Sequence, residues 1–306
     1  MKKNRPLLVV ISGPTAVGKT KMAIDVANHF DTEIVSADSR QFFKEMSIGT
    51  AKPTEEEREQ APHHFVDFLP VDDDYSAGDF ERDALQKLEK IFSKKSIAVL
   101  TGGSGLYVDA VCRGLDDLPK SDEERKNLNN QLKTEGIEVL QEELKMRDPA
   151  FYQKIDLQNP QRLVRALEVC RASGKPFSSF RANTAKERPF DILKVALYTD
   201  RKLLYERINM RVDQMIEDGL IDEAESLFPK RNLNALNTVG YKELFSWLNG
   251  ELSREEAIEE IKKNTRRFAK RQLTWLRKDE TYHWIHTGDT DGVLELINKK
   301  LKKNGR

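Results

Sequence analysis

The chain is poor in cysteine, with only Cys112 and Cys170 among its 306 residues. These two lie far apart and form no Cys-x-x-Cys pair, so the sequence indicates neither a disulfide framework nor a zinc site. Long hydrophobic runs are absent too. The apolar stretch nearest the start covers only Leu7 to Ile11, which is too short for a signal peptide or a membrane span. We therefore expect a cytoplasmic protein without a membrane segment.

Net charge is also absent, because 51 Lys and Arg balance 51 Asp and Glu. Zero net charge by itself argues against a nucleic-acid partner, but the charges are segregated along the chain. Acidic residues are concentrated between Glu55 and Asp83, and basic residues between Lys262 and Lys278. Such a chain can present a basic surface to a polyanion while it stays neutral overall.

What the chain does contain is a phosphate-binding loop. Residues 13–20, Gly-Pro-Thr-Ala-Val-Gly-Lys-Thr, match the pattern G-x-x-x-x-G-K-[ST] and lie between an apolar run and a segment with helical apolar spacing. The glycines let backbone N–H groups surround phosphate oxygens, Lys19 neutralises their charge, and the Thr20 hydroxyl is a ligand for Mg²⁺. The loop therefore predicts a phosphorylated ligand, either a nucleoside triphosphate or another diphosphate.

The distribution of apolar runs predicts an α/β fold with a P-loop parallel-sheet core. The length of the chain suggests about two domains. From about Asp116 to Arg188 the composition changes to charged helical segments, which we interpret as a helical insertion domain, residues 116–188. The core then comprises residues 1–115 with 189–306 and includes additional C-terminal helices. Buried strands are predicted at residues 7–11, 32–37, 96–100, 190–199 and 282–286.

Two predicted strand ends near the phosphate loop carry polar residues. Asp38 follows the second strand and is a candidate general base or water-mediated Mg²⁺ partner, although a turn cap is the simpler alternative. The Gly-rich turn from Thr101 to Gly105 follows the third strand and could approach a ligand closely, or be a plain strand-to-helix turn. P-loop triphosphatases commonly place an Asp at such a strand end, so Thr101 weighs against hydrolysis.

Two further segments are candidates for binding, one for nucleic acid and one for a metal ion. The helix predicted at residues 254–278 has Lys and Arg at most positions outside a mostly apolar stripe, which consists of Ile258, Ile261, Thr265, Phe268, Gln272 and Leu276. The basic face suits a phosphate backbone, and a solvated basic helix explains it equally well. His63 and His64 are adjacent on an extended segment, so their side chains point to opposite faces and do not form a metal site. We expect hydrogen-bonding roles for them.

Several motifs occur in one order along the chain, and this order resembles the tRNA dimethylallyltransferase (tRNA isopentenyltransferase) family over essentially the whole sequence. The motifs after the phosphate loop are Asp38-Ser39-Arg40-Gln41, Ile48-Gly49-Thr50-Ala51-Lys52-Pro53, Pro62-His63-His64, Tyr75-Ser76-Ala77-Gly78-Asp79-Phe80, Gly102-Gly103-Ser104-Gly105-Leu106-Tyr107, Asn159-Pro160-Gln161-Arg162, Val239-Gly240-Tyr241 and Ala269-Lys270-Arg271-Gln272.

The resemblance implies transfer of a dimethylallyl group from dimethylallyl diphosphate to N6 of the adenosine 3′-adjacent to the anticodon of tRNA, releasing diphosphate. The phosphate loop would then hold the leaving diphosphate with Mg²⁺, and no nucleoside triphosphate would be consumed. The partners it implies are the tRNA anticodon stem-loop and dimethylallyl diphosphate, with no obligate protein partner.

The resemblance also assigns site residues. Asp38 matches the proposed general base, and Ser104 and Arg211 match further catalytic positions. Ser104 stands where many members have Thr, and Arg40 where some have Met. Thr20 would bind the metal, and the diphosphate positions are Gly13, Thr15, Ala16, Val17, Gly18, Lys19 and Thr20.

Family members flip the target base out of the anticodon loop, so recognition is expected to rest on loop shape and unstacked bases. The insertion domain would grip the anticodon stem-loop from one side. The positions that we expect to contact tRNA are Asp38, Ser39, Arg40, Gln41, Thr101, Gly102, Gln161, Arg162, Leu163, Val164, Arg165, Val239, Gly240, Tyr241, Lys242, Lys270 and Arg271.

Three alternatives stand beside this function. A P-loop kinase for a small metabolite would use Asp38 as its base but leaves the basic helix and the insertion unexplained. An adenylate isopentenyltransferase shares the chemistry but needs no long insertion. A noncatalytic RNA-binding protein would have no use for intact Lys19, Thr20 and Asp38.

Overall fold

The computed structural model describes residues 5–181 and 185–303. The chain divides into two compact units, the first formed by Met1–Cys112 with Glu187–Arg306 and the second by Arg113–Lys186. The insertion boundaries expected from the sequence, 116 and 188, lie close to these. Among the described helices, none is both long and apolar enough to cross a membrane.

The first unit is built on a six-stranded sheet in the order β3-β2-β4-β1-β5-β6, in which every pair of neighbours is parallel. This confirms the predicted α/β fold with a parallel-sheet core. The two-residue β3 was expected only as an extended segment, because so short a strand has no apolar run to reveal it. The strands are β1 (Leu7–Ser12), β2 (Ile34–Ser36), β3 (His63–His64), β4 (Ile97–Gly102), β5 (Asp191–Tyr198) and β6 (Tyr282–His286).

Helices make up most of the remaining chain, and side-chain caps define many of their first turns. At the start of α3, the Ser76 hydroxyl accepts the Asp79 N–H at 3.2 Å while the Asp79 carboxylate accepts the Ser76 N–H at 3.1 Å. The helices are α1 (Lys19–His29), α2 (Glu55–Gln60), α3 (Ala77–Phe92), α4 (Gly105–Arg113), α5 (Asp122–Glu135), α6 (Ile137–Arg147), α7 (Pro149–Tyr152), α8 (Pro160–Ser173), α9 (Arg201–Glu217), α10 (Leu220–Leu227), α11 (Tyr241–Leu248), α12 (Arg254–Leu276) and α13 (Thr290–Lys303).

Alternate residues of β1 face two different apolar cores. Leu8 and Val10 belong to the core that also contains residues of α3, α10 and α11, whereas Leu7 and Val9 belong to the core formed with α1 and α13. Because both faces are covered, β1 is apolar along nearly its whole length. The parallel arrangement brings the carboxyl ends of β1, β2, β4 and β5 to one edge of the sheet, where ligands of such folds bind.

The second unit is a small helical domain with its own apolar core, which includes Leu128, Leu140 and Leu163. Glu168 is fully buried within it, and its carboxylate forms ion pairs with Arg125 at 2.9 Å and Arg165 at 2.8 Å. Loss of either arginine would leave part of a buried charge uncompensated.

Candidate active site

The phosphate loop connects β1 to α1, as the sequence predicts. Gly18 immediately precedes α1 in the left-handed backbone conformation, with φ of 99°, which favours glycine. Gly18, the N-cap residue, has no side chain to accept the first N–H groups of α1, which suits them to bind a ligand. An uncapped helix start with this loop in front of it is suited to phosphate.

Lys19 organises the phosphate loop through two hydrogen bonds. Its Nζ donates hydrogen bonds to the carbonyl oxygens of Gly13 at 3.0 Å and Pro14 at 2.8 Å. Burial lowers the pKa of Lys19 to about 8, an effect that Asp38 opposes and Arg211 reinforces. A bound anion would favour the charged ammonium, so diphosphate and the protonated side chain stabilise each other.

Asp38 lies just beyond β2. Its Oδ1 accepts the N–H of Arg40 at 3.1 Å, so the turn-capping role is real. Within the described residues Oδ2 has no hydrogen bond, and the side chain lines the same cavity as Thr15 and Arg211. One oxygen therefore holds the turn while the other remains available for a ligand.

The turn after β4 contacts the Asp38 segment directly. Ser104 Oγ accepts the Ser39 N–H at 3.1 Å and lies 3.1 Å from Ser39 Oγ. Gly102 approaches so closely that a Cβ there would lie 2.3 Å from the Ala37 carbonyl oxygen. The Thr101 hydroxyl instead points into the sheet and donates to the Ile11 carbonyl at 3.1 Å. Of the two hydroxyls in this turn, only that of Ser104 belongs to a cavity-lining residue.

Gln272 of α12 joins the two loops, a role that neither its place in the mostly apolar stripe nor the motif Ala269-Lys270-Arg271-Gln272 indicates. Its Oε1 accepts the N–H of Thr15 at 2.8 Å, and its Nε2 donates to the Gly103 carbonyl at 3.0 Å. The side chain is buried, and a Cβ on Gly103 would lie 2.3 Å from Nε2. The only local signal was an amide in an otherwise apolar helix face.

We expect Gln272→Leu to lower kcat about tenfold, because the phosphate loop and the Ser104 turn lose the amide that fixes their separation, and the partly buried Thr15 N–H and Gly103 carbonyl lose their partner. Steady-state assays measure this against Thr274→Val, a change at an exposed neighbour on the same helix. If Gln272→Leu lowered thermal stability but left kcat unchanged, the amide would be structural only.

Arg211 of α9 completes the polar end of the site. Its guanidinium lies 3.4 Å from the Thr15 hydroxyl, and burial lowers its pKa while Asp38 raises it. The structure thus brings Arg211, Lys19 and Asp38 together from segments that are distant in the sequence.

Thr15, Asp38, Ser104, Arg211 and Gln272 all line one cavity of about 780 Å³. Its polar end is formed by Thr15, Asp38 and Arg211, and its apolar wall includes Phe268 and Trp275. The Trp275 ring is held in place because its Nε1 donates to Asp109 at 3.2 Å. The cavity can therefore hold an anionic group at one end and a flat or branched apolar group beside it.

Residues predicted to contact tRNA lie partly in this cavity wall. Ser39, Arg40, Val239, Gly240, Lys242 and Arg271 line it, and Arg40 also donates to the Asn234 carbonyl at 3.0 Å. Gln41 instead donates to the carbonyls of Thr50 and Ala51 at 3.2 and 3.0 Å. Tyr241 is fully buried and its hydroxyl donates to Glu223, so an RNA contact at this position would have to use main-chain atoms.

The predicted tRNA contacts from Gln161 to Arg165 belong to α8 of the second unit. Leu163 and Val164 are buried in the core of that unit, and Arg165 donates to the Pro119 carbonyl at 3.1 Å besides its ion pair with Glu168. RNA contacts of this segment stay a prediction.

The basic helix is less uniform than its sequence indicates. In its first half, Lys262 pairs with Asp213 at 2.8 Å, Lys263 pairs with Glu260 at 2.6 Å, and Arg266 donates to Asn209 at 2.6 Å. Phe268 of the predicted apolar stripe is 38% exposed and lines the cavity. Among the described residues, Lys270 and Arg271 near the end of α12 form no ion pair, so they are the cations of this helix best placed to meet a polyanion.

The two histidines have the expected hydrogen-bonding roles. His63 Nδ1 lies 2.7 Å from the Ala61 carbonyl oxygen, and His64 Nε2 lies 2.6 Å from Glu33 Oε2. Within residues 5–181 and 185–303, no group of three or more His, Cys, Asp or Glu side chains is arranged to hold a metal ion.

Comparison with known proteins identifies relatives of this chain. The family model described as IPP transferase matches residues 41–279. A tRNA dimethylallyltransferase of Christiangramia forsetii is 54% identical over 96% of this chain and 98% of its own length. The structure resembles a tRNA isopentenylpyrophosphate transferase of Bacillus halodurans, with a TM-score of 0.73 and 35% identity over 98% of each chain. It also resembles a eukaryotic dimethylallyltransferase acting on tRNA, with a TM-score of 0.76 and 27% identity over 94% of this chain and 75% of the other.

Proposed function

This chain belongs to the tRNA dimethylallyltransferase (IPP transferase) family, and we propose that it transfers the dimethylallyl group of dimethylallyl diphosphate to N6 of the adenosine 3′-adjacent to the anticodon of tRNA. We propose further that the enzyme acts in the cytoplasm. The enzyme is a prenyltransferase that modifies tRNA. One observation carries the detailed proposal: a single cavity contains an anion-binding end, a carboxylate with a free oxygen, and an apolar wall.

The reaction forms a bond between N6 and the first carbon of the dimethylallyl group and breaks the bond between that carbon and the diphosphate oxygen. The N6 proton passes to Asp38 Oδ2, the carboxylate oxygen that accepts no hydrogen bond from any described residue, whereas Oδ1 accepts the Arg40 N–H. The electron pair of the broken bond leaves with diphosphate, whose charge Lys19, Arg211 and the start of α1 would stabilise.

The remaining cavity residues would orient the reactants and exclude water. Phe268 and Trp275 provide a dry surface for the allylic group, which protects a carbon with developing positive charge from hydrolysis. Ser104, through its contacts with Ser39, holds the residue next to Asp38 in position.

Mg²⁺ fits the donors that this site offers. The Thr20 hydroxyl and the Asp38 carboxylate are hard oxygen ligands, and Mg²⁺ typically takes few protein ligands while substrate phosphates and waters fill the rest. Thr20 would hold the ion, with Asp38 acting through water. The ion would supply positive charge to the diphosphate when bound.

The substrate is tested with dimethylallyl diphosphate labelled in the allylic group, Mg²⁺, and either unmodified tRNA, AMP or neither. We expect label in tRNA only, and none in a tRNA whose target adenosine is replaced by guanosine, which lacks the N6 amine. Label in AMP but not in tRNA would make the enzyme an adenylate isopentenyltransferase. ATP consumption without label transfer would favour the kinase.

A further inference from the structure

A second cavity of about 530 Å³ adjoins the phosphate loop. Adjacent loop residues line the two cavities, with Thr15 in the wall of the active-site cavity and Pro14 in the wall of the second. The same alternation occurs on α12, where Arg271 lines the first cavity and Lys270 the second. The two cavities therefore lie side by side, and the mechanism above uses only one of them.

Exposed aromatic rings form part of the second cavity. Tyr198 ends β5 and is 42% exposed, and Trp284 of the neighbouring β6 is 37% exposed. Their ring centroids are 6.4 Å apart, with an angle of 64° between the rings. Tyr205 lines the same cavity with the Arg201 guanidinium 5.2 Å from its ring centroid. Large exposed rings in a concave site are more typical of a binding surface than of a core.

Positive charge surrounds these rings. Arg201, Lys270 and Arg277 line the cavity, and none of them forms an ion pair with any described residue, in contrast to Lys262 and Lys263 of α12. Asp200, which precedes Arg201 in the sequence, forms no ion pair with it and instead accepts the N–H groups of Lys202 and Leu203 at the start of α9. The cavity thus combines π surfaces with cations that lack counter-charges.

An unsatisfied hydroxyl lies in the same wall. Thr199 lines the cavity, and its buried Oγ1 has no hydrogen-bond partner in the part of the chain that the structure describes. A buried hydroxyl without a partner costs free energy, which a polar ligand group within reach would recover.

We propose that the second cavity binds an unpaired nucleotide of the tRNA substrate, with its base against Trp284 and Tyr198 and its phosphates held by Arg201, Lys270 and Arg277. Aromatic platforms combined with unpaired Lys and Arg are the usual means of binding single-stranded nucleic acid. An anticodon loop with its target adenosine in the first cavity would bring a neighbouring nucleotide close to the second, because residues adjacent in the chain line both cavities. This inference rests on the proposed function, which makes tRNA the substrate.

Stacking is tested at Trp284. We expect Trp284→Ala to weaken tRNA binding and raise the KM for tRNA about tenfold, with kcat and the KM for dimethylallyl diphosphate unchanged. Trp284→Phe keeps an aromatic surface and should keep most of the affinity. tRNA should also quench tryptophan fluorescence in the natural protein more than in Trp284→Phe. A rise in the KM for dimethylallyl diphosphate instead would assign the cavity to that substrate and overturn the proposal.

The cations are tested with a matched pair of neighbours. Arg277→Ala should reduce the slope of log affinity for tRNA against log salt concentration by about one. Lys278→Ala, an equally exposed neighbour that does not line the cavity, should leave the slope unchanged. Equal effects of both changes would show that Arg277 contributes only general surface charge to tRNA binding, and would overturn the proposal.

Competition by free nucleotides tests which molecule occupies the second cavity. AMP or ATP should not reverse the quenching caused by tRNA. Reversal by either would show that a free nucleotide occupies the cavity and would overturn the assignment to tRNA. Because the fluorescence and salt titrations measure binding alone, they decide on the second cavity even if the protein proved to prenylate a different acceptor.

Discussion

Replacing Asp38 with asparagine is expected to lower kcat at least about a hundredfold, which is the low end of the contribution of a positioned general base. Asparagine has nearly the same shape, and its carbonyl oxygen can still accept the Arg40 N–H that Asp38 Oδ1 accepts at 3.1 Å. The turn should therefore survive while the group that receives the N6 proton is lost. Single-turnover transfer to tRNA and equilibrium binding of tRNA measure the two effects separately.

Two controls accompany this change. Asp38→Ala removes both the base and the turn contact, so it should be at least as slow and also less stable. Ser39→Ala, at the next residue, removes only the hydroxyl that faces Ser104 and should have a much smaller effect on kcat. If Asp38→Asn instead weakened tRNA binding and left single-turnover transfer intact, Asp38 would be a binding residue and the proton would go elsewhere.

Lys19→Met should lower kcat/KM for dimethylallyl diphosphate by about a thousandfold, because it removes a positive charge from a water-poor site where negative charge develops on the leaving group. Methionine preserves much of the length of the side chain, so the loop loses chiefly the ammonium and its bonds to Gly13 and Pro14. Lys21→Met is the matched control, since Lys21 is exposed on the same helix and pairs with Asp25 at 3.4 Å.

The titration of Lys19 predicts that kcat/KM for dimethylallyl diphosphate depends on pH. Burial lowers the pKa of Lys19 to about 8, so in the free enzyme the side chain is charged below that pH and neutral above it. Diphosphate requires the charged form, and kcat/KM for dimethylallyl diphosphate should therefore fall as the pH rises through about 8. Lys19→Arg keeps its charge at higher pH and should lose this fall, whatever its absolute rate. An identical profile for both proteins would assign the titration to another group.

The phosphate loop shows how much of the site is local. Its signal lies in eight consecutive residues, and the structure places it between β1 and α1 with Gly18 in the left-handed conformation that the glycine permits. Runs of buried apolar residues likewise identified β1, β4 and β5, because strands covered on both faces need apolar residues throughout. The family followed from motifs in order, and the comparisons confirm it.

Other parts of the site had no local signal. The spacing of α12 placed Phe268 and Gln272 in one mostly apolar stripe but did not indicate that Phe268 lines the cavity or that Gln272 joins two loops. The basic face looked continuous, but acids on α9 and on the helix itself occupy its first half. Helical periodicity gives the direction of a side chain from its own axis and contains no information about what packs there.

The sequence by itself determined the phosphate loop, the parallel sheet around it and membership of the family. Only the tertiary structure decided that Gln272 bridges Thr15 and Gly103, that Ser104 supports Ser39 rather than standing free, and that Lys270 and Arg271 line different cavities. The physical reason is the separation along the chain of the residues that interact. Backbone conformation and capping depend on residues within a few positions, whereas a hydrogen bond between residues 257 positions apart exists only once packing has fixed both partners.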